Sequence, residues 1–198
     1  MVVVYQKIDP RADAYKRGPS FLYRIFEVKK GIHAEIIKRL RSGENLVLSP
    51  IAQTDIRQAQ GFFTIRFWGA FAAVKYAAPF INEGGSIGLT SGTAGIRPGA
   101  GWSVASAICA AMEGFVRAMA VELSPIRVNC VIPGVIRTPL WDSMGQLERD
   151  KLFHQISNSS LVKRVGLPDD VAEGFLYLMK QRNGTGQSLL IDGGAVLV

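Results

Sequence analysis

Two hydrophobic periods alternate along this chain, and that alternation limits its fold more than any other feature. Short apolar or β-branched runs with Gly, Pro or Ser near their ends are separated by longer segments whose apolar positions recur at helical spacing. Strands are expected at Val2–Tyr5, Phe21–Val28, Asn45–Leu48, Ser86–Thr90, Arg127–Ile132 and Ser188–Asp192. Helices are expected at Ile32–Arg41, at about Thr54–Ala78, at about Ser103–Leu123, and from Pro168-Asp169-Asp170 to about Lys180. Thr54 is the expected N-cap of the second helix, with Pro79 as its stop, and Ser124-Pro125 ends the third. The stretch from Trp141 to Leu161 reads as a loop. Strands separated by helices specify an α/β fold with a mostly parallel sheet.

Composition narrows the class further. With 198 residues, 48% hydrophobic and 20% charged, the chain has the apolar mass for one sizeable core, which excludes global disorder and predicts a single domain over 1–198. Cys109, Cys130, His33 and His154 are too few and too scattered for a disulfide framework or a standard zinc site. They suit a reducing compartment. The longest uncharged stretch, Pro98–Met112, has 15 residues, short of the ~20 that a membrane-spanning helix needs. No basic segment precedes the apolar run Val2–Tyr5, so no signal peptide is expected. A cytoplasmic protein with no membrane role is the expectation.

Charge is unevenly placed. Residues 1–44 carry ten Lys and Arg against five acids, while the whole chain has a net charge of +7. A basic arm can serve an anionic partner, but aromatic residues do not interleave with these charges in a nucleic-acid-binding pattern. A solvated face on an atypical N-terminal segment is the plainer account, and nucleic acid is not an expected partner.

The second and third helices are apolar or small nearly all round: FWGAFAAVKYAAPF carries one charge and SVASAICAAMEGFVRAMAVEL three. A helix apolar on most sides is buried on most sides. Packing on a sheet covers one face, and a homodimer or homotetramer formed through helices 54–78 and 103–123 would cover the other.

Five segments in order, GGSIGLTSGTAG (84–95), EGFVRAMAVEL (113–123), IRVNCVIPGVIRTPL (126–140), RVGLPDDVAE (164–173) and GQSLLIDGG (186–194), resemble the short-chain dehydrogenase/reductase family across roughly residues 45–198. The resemblance implies a Rossmann-like, doubly wound sheet with an NAD or NADP cofactor at the carboxyl ends of its strands. It also implies oxidoreductase chemistry on small carbonyl or alcohol compounds. Pro133, Gly134, Ile136 and Thr138 match the family's loop around the nicotinamide.

The same family uses a Tyr and a Lys one helical turn apart to move the proton, a Ser to hold the substrate oxygen, and an Asn that supports a relay water. By the resemblance, the Tyr position falls on Ala105, the Lys on Cys109, the Ser on Gly92 with Ser91 just before it, and the Asn on Arg66. No Tyr in the chain is followed four residues later by Lys. Ser91 is left as the catalytic candidate, with a strand-end Ser capping a turn as the alternative. The Gly-rich phosphate turn is also missing from 1–44, whose glycines are Gly18, Gly31 and Gly43. Three βα units would need on the order of 80 residues before Asn45, so the N-terminal half is shortened or rebuilt. Two functions follow: an NAD(P)-dependent oxidoreductase with a degenerate active site, or a catalytically inactive oligomer acting as a binding or interaction protein.

Overall fold

A computed structural model describes residues 2–5, 46–142 and 144–198, with the backbone alone for 2–5. The expected strand Phe21–Val28, the expected helix Ile32–Arg41 and most of the basic arm lie outside these residues.

Four strands form one sheet in the order β1 (Val2–Tyr5), β2 (Ser86–Thr90), β3 (Arg127–Pro133), β4 (Ser188–Ile191). β2, β3 and β4 are parallel, with Ser86 opposite Arg127 and Cys130 opposite Ser188. β1 runs antiparallel on the outer side of β2, with Val2 opposite Leu89 and Tyr5 opposite Ser86. The parallel strands read as nearly continuous apolar runs because helices cover both faces.

The helical part begins with α1 (Ile56–Phe63), which passes through a π-helical segment, Thr64–Trp68, into α2 (Gly69–Ala77). The three form one rod, ended by a 3-10 turn that contains Pro79. α3 (Ser103–Glu122) crosses from β2 to β3, and α4 (Gln146–Ser159) and α5 (Pro168–Lys180) lie between β3 and β4. The period of two along the strands divides the core. Ile87, Leu89, Val128, Cys130 and Ile132 pack with Val74 of α2 and with Met112, Phe115 and Val116 of α3. Val131 faces the other way, into Phe175, Leu178 and Met179 of α5. A sheet covered on both faces is the doubly wound arrangement that the strand–helix alternation implies.

Polar groups inside this core are partnered, as burial requires. The fully buried Asn129 donates through Nδ2 to the Gly184 carbonyl at 2.9 Å and accepts at Oδ1 from the Gln187 amide at 3.0 Å, which ties the turn before β4 to β3. The Arg127 guanidinium donates to the carbonyls of Leu178 and Met179 at 2.7 and 2.9 Å. A cation thereby satisfies the free carbonyl end of α5.

Three expectations are corrected. Residues 46–50 form no strand: β1 already occupies the free edge of β2, and Leu46, Val47 and Leu48 instead pack against Phe62, Ala105 and Ile108. The N-cap of α1 is Asp55, whose carboxylate accepts from the Gln58 amide at 2.8 Å, while the Thr54 hydroxyl lies 2.8 Å from Ser49 Oγ. The stretch 141–161 holds helix α4 in place of a loop. That helix is largely polar and is docked by Phe153, Leu152 and Ile156 against Trp141 and Trp102. α3 is the one helix among the described residues long and apolar enough to cross a membrane, with mean hydropathy 1.5. Its Met112, Phe115 and Val116 are instead committed to the sheet.

Candidate functional site

β2 and β3 end side by side, and the backbone leaving them, Thr90-Ser91-Gly92 and Pro133-Gly134-Val135, floors a cleft of ≈ 210 Å³. Phe62 and Arg66 from the α1–π rod and Ala105, Ile108, Cys109 and Met112 from α3 form its sides. Trp102, Leu140, Trp141 and Leu46 complete the wall. A cleft outside the carboxyl ends of parallel strands is where open α/β sheets bind ligands.

The four positions matched to the proton-handling residues therefore converge. Arg66, Gly92, Ala105 and Cys109 all line this one cleft, although 43 positions separate the first from the last in the sequence. Gly92 leaves little room: a Cβ there would stand 3.2 Å from the Cys109 sulfur. Tyr76 and Lys75 lie outside the cleft, with the Lys75 ammonium 5.7 Å from the Tyr76 ring centre.

The Ser91 hydroxyl lies 3.1 Å from both the Cys109 carbonyl and Glu113 Oε1, either of which can accept its single proton. That proton is directed into α3, so toward the cleft Ser91 offers lone pairs. Glu113 was not anticipated from the sequence. It sits one helical turn after Cys109, where i and i+4 share a face, and that spacing was the available signal.

Neither cysteine is an activated nucleophile. Burial raises the Cys109 pKa, and the Glu113 carboxylate raises it further. Hydrogen bonds from Ser91 and the Gly95 backbone, and the Arg66 cation, oppose that shift without overcoming it. Cys130, wholly inside the core, is pushed up to about 12 by burial first and by Glu113 second. Thiols in such surroundings stay protonated.

The four residues matched to the nicotinamide loop separate into two pairs. Pro133 and Gly134 line the cleft. The Ile136 side chain is buried in the layer below with Val171 and Phe175, and its carbonyl accepts from the Trp141 indole at 2.9 Å, which fixes that wall. Thr138 begins the 3-10 turn Pro139–Trp141. Ile136 and Thr138 are not part of the lining. The wall residues Phe62, Trp102, Leu140, Trp141 and Leu46 were not singled out in the sequence, because an aromatic or leucine residue in a helical or turn segment gives no sign of which cavity it will face.

Comparison with known proteins sets this geometry in a family. The enoyl-(acyl carrier protein) reductase family model matches residues 42–196. A curated relative, the short-chain dehydrogenase/reductase malC of Malbranchea aurantiaca, is 36% identical over 75% of this chain and 57% of its own length. Another, ucsE of an Acremonium species, is 28% identical over 79% of this chain and 60% of its own length. The crystal structure of a small-chain dehydrogenase in complex with NADPH superposes with TM-score 0.77 and 34% identity, covering 80% of this chain and 72% of that one. The chain spans about three-fifths of the length of these two curated relatives. By fold and by family match it is an α/β protein of the Rossmann-like class. Within that class it belongs to the short-chain dehydrogenase/reductase family.

Proposed function

We propose that this protein is an NAD(P)-dependent oxidoreductase of small carbonyl or alcohol compounds with a degenerate proton-transfer site. The family match and the NADPH complex of the similar dehydrogenase support the cofactor. The Pro133-Gly134 backbone forms part of the cleft, and among the described residues the Thr138 hydroxyl has no hydrogen-bond partner. Both fit the amide end of a nicotinamide, which would supply or accept a hydride when bound. The loop Pro133–Thr138 would hold that end, and the aromatic walls would exclude water.

The observation that carries the word degenerate is the pair Ala105 and Cys109 in the cleft wall. Alanine has no proton to give, and a neutral thiol is no substitute for an ammonium. A positioned acid or base contributes typically 10²–10⁴-fold, so turnover should be slower by about that factor than with a Tyr–Lys pair in place.

NADPH and NADH titrations followed by tryptophan fluorescence test the cofactor, since Trp102 and Trp141 both line the cleft. A saturable change supports the proposal, and none up to millimolar dinucleotide rejects it. The double substitution Ala105→Tyr with Cys109→Lys should raise carbonyl reduction by at least about tenfold. No gain in a variant that still binds dinucleotide would show that these positions do not limit turnover.

A second reading, a catalytically inactive binding or interaction protein, draws its support from the exposed apolar side chains Trp68, Tyr76 and Val121 on the same helices that build the cleft. We propose that a second copy of the chain covers them, giving a homodimer or homotetramer.

A further inference from the structure

The one charge on the cleft wall has been assigned no ligand so far. Arg66 is the only charged side chain among the described residues that line the cavity. It projects from the π-helical segment Thr64–Trp68, a widened turn inside an otherwise regular rod, and such insertions recur at functional sites. Its guanidinium rests over the Phe62 ring, 5.5 Å from the centroid, and no carboxylate pairs with it among the described residues. The acid on the facing helix, Glu113, is hydrogen-bonded to Ser91 and lies outside the cleft lining. Burial among apolar neighbours lowers the Arg66 pKa, with the Cys109 side chain opposing that shift. Arg66 is itself exposed at the cleft mouth, and its guanidinium has no ion-pair partner among the described residues; it shares the cleft lining with Ile108, Trp102, Trp141 and Leu140.

We propose that this cleft takes a small organic carboxylate with an apolar body, its carboxylate bound by Arg66 and its body held between the aromatic and aliphatic walls. A planar guanidinium offers paired N–H groups that match a carboxylate. The cavity, at ≈ 210 Å³, is below the ~300–1,000 Å³ of drug-sized sites, so the body is about the size of one ring and a short tether. A keto acid of this shape would present its carbonyl to the same cleft. The inference rests on the preceding reading for taking the cleft as the substrate site. Its assay contains no nicotinamide, so failure of either claim is seen separately.

The test uses the full chain and two probes of equal shape, 3-phenylpropionate and the neutral 3-phenylpropionamide, read by tryptophan fluorescence and checked by calorimetry. The carboxylate should bind at least about tenfold more tightly than the amide, as a charge-assisted pair requires. Arg66→Gln should remove that preference while leaving amide affinity within about twofold, and Arg66→Lys should keep most of it. Lys75→Gln, a cation removed elsewhere on the rod, should change nothing. Equal affinity for both probes, no saturable binding of either, a preference that survives Arg66→Gln, or one that disappears with Lys75→Gln would each overturn the proposal. Inorganic phosphate binding as tightly as the phenylpropionate would also overturn it, because the apolar walls would then contribute nothing.

Discussion

Cys109 and Cys130 lie close enough to Glu113 for its charge to act on both, and their behaviour gives the sharpest check on the interior. Cys130 is held at about 12 against an ordinary 9.0. A folded-state pKa raised above the unfolded one means stability that is complete below pH 9 and is lost as the pH rises toward 12, since only the unfolded thiol gives up its proton there. The slope can reach about 1.4 kcal/mol per pH unit. Cys130→Ala should flatten the alkaline branch of a melting-temperature profile relative to the parent, although it lowers stability at neutral pH through the cavity it leaves. Parallel alkaline branches would contradict the burial. Cys109, less enclosed, reports on its two charged neighbours by its labelling rate with a thiol reagent at pH 8. Glu113→Gln should speed the reaction by removing a charge that opposes the thiolate, and Arg66→Gln should slow it.

The start of α5 shows how a local sequence signal becomes a structural anchor. Pro168 occupies the first turn, where its missing N–H is no loss, and Asp170 accepts from the Leu167 amide at 2.7 Å while both its oxygens meet the Arg164 guanidinium at 2.7 Å. The hydrogen bond from Arg164 comes first, and the Leu167 amide second, in holding the Asp170 carboxyl down at about 2. This contribution is present above the ordinary carboxylate range, near 4, and is lost as the pH falls toward 2. Asp170→Ala should cost about 1 kcal/mol, the usual loss of a helix cap, and lower the melting temperature by about 2–4 °C for a chain of this size. The loss should fade below pH 3, and a deficit that persisted there would mean that something other than the carboxylate is responsible.

This helix, β2, β3, β4 and α3 were legible in the sequence because their periods are long and their ends carry Pro, Gly or Ser. The expected strand Asn45–Leu48 has strand chemistry, and its described part, residues 46–48, still forms none, since the edge it would need pairs with Val2–Tyr5. That competition is tertiary and leaves no local trace. α4 was missed for the opposite reason, its helical stripe being only Leu152, Phe153 and Ile156 in a polar segment. At the cleft, alignment to the family brought together Arg66, Gly92, Ala105 and Cys109, but not the charge environment that Glu113 imposes on the last of them.

Across the whole molecule, the packing among the described residues leaves large apolar side chains exposed on the rod and on α3. The rod from α1 to α2 and the sheet-facing side of α3 bury Val74, Met112 and Val116 against the sheet, and a ring cluster of Phe63, Phe67, Phe71 and Phe115 spans the rod and α3 with centroids 5.2–6.5 Å apart. Beyond that cluster, Trp68 is 54% exposed and Val121 80%. Large exposed apolar side chains on helices already committed to the core are what a self-complementary interface presents. A standard interface removes about 1,600 Å² from water, an area that an isolated tryptophan contact cannot supply, so the proposed interface would need both helices. Sedimentation equilibrium should therefore give a mass of two or four times 21.5 kDa. Trp68→Glu and Val121→Glu, each placing a charge in the buried centre, should shift it toward one chain without lowering the helical circular dichroism signal. If both variants sediment as the parent does, the copies meet elsewhere. If the parent itself is a single chain at micromolar concentration, this face is covered by some other means, and a partner role through self-association is lost with it.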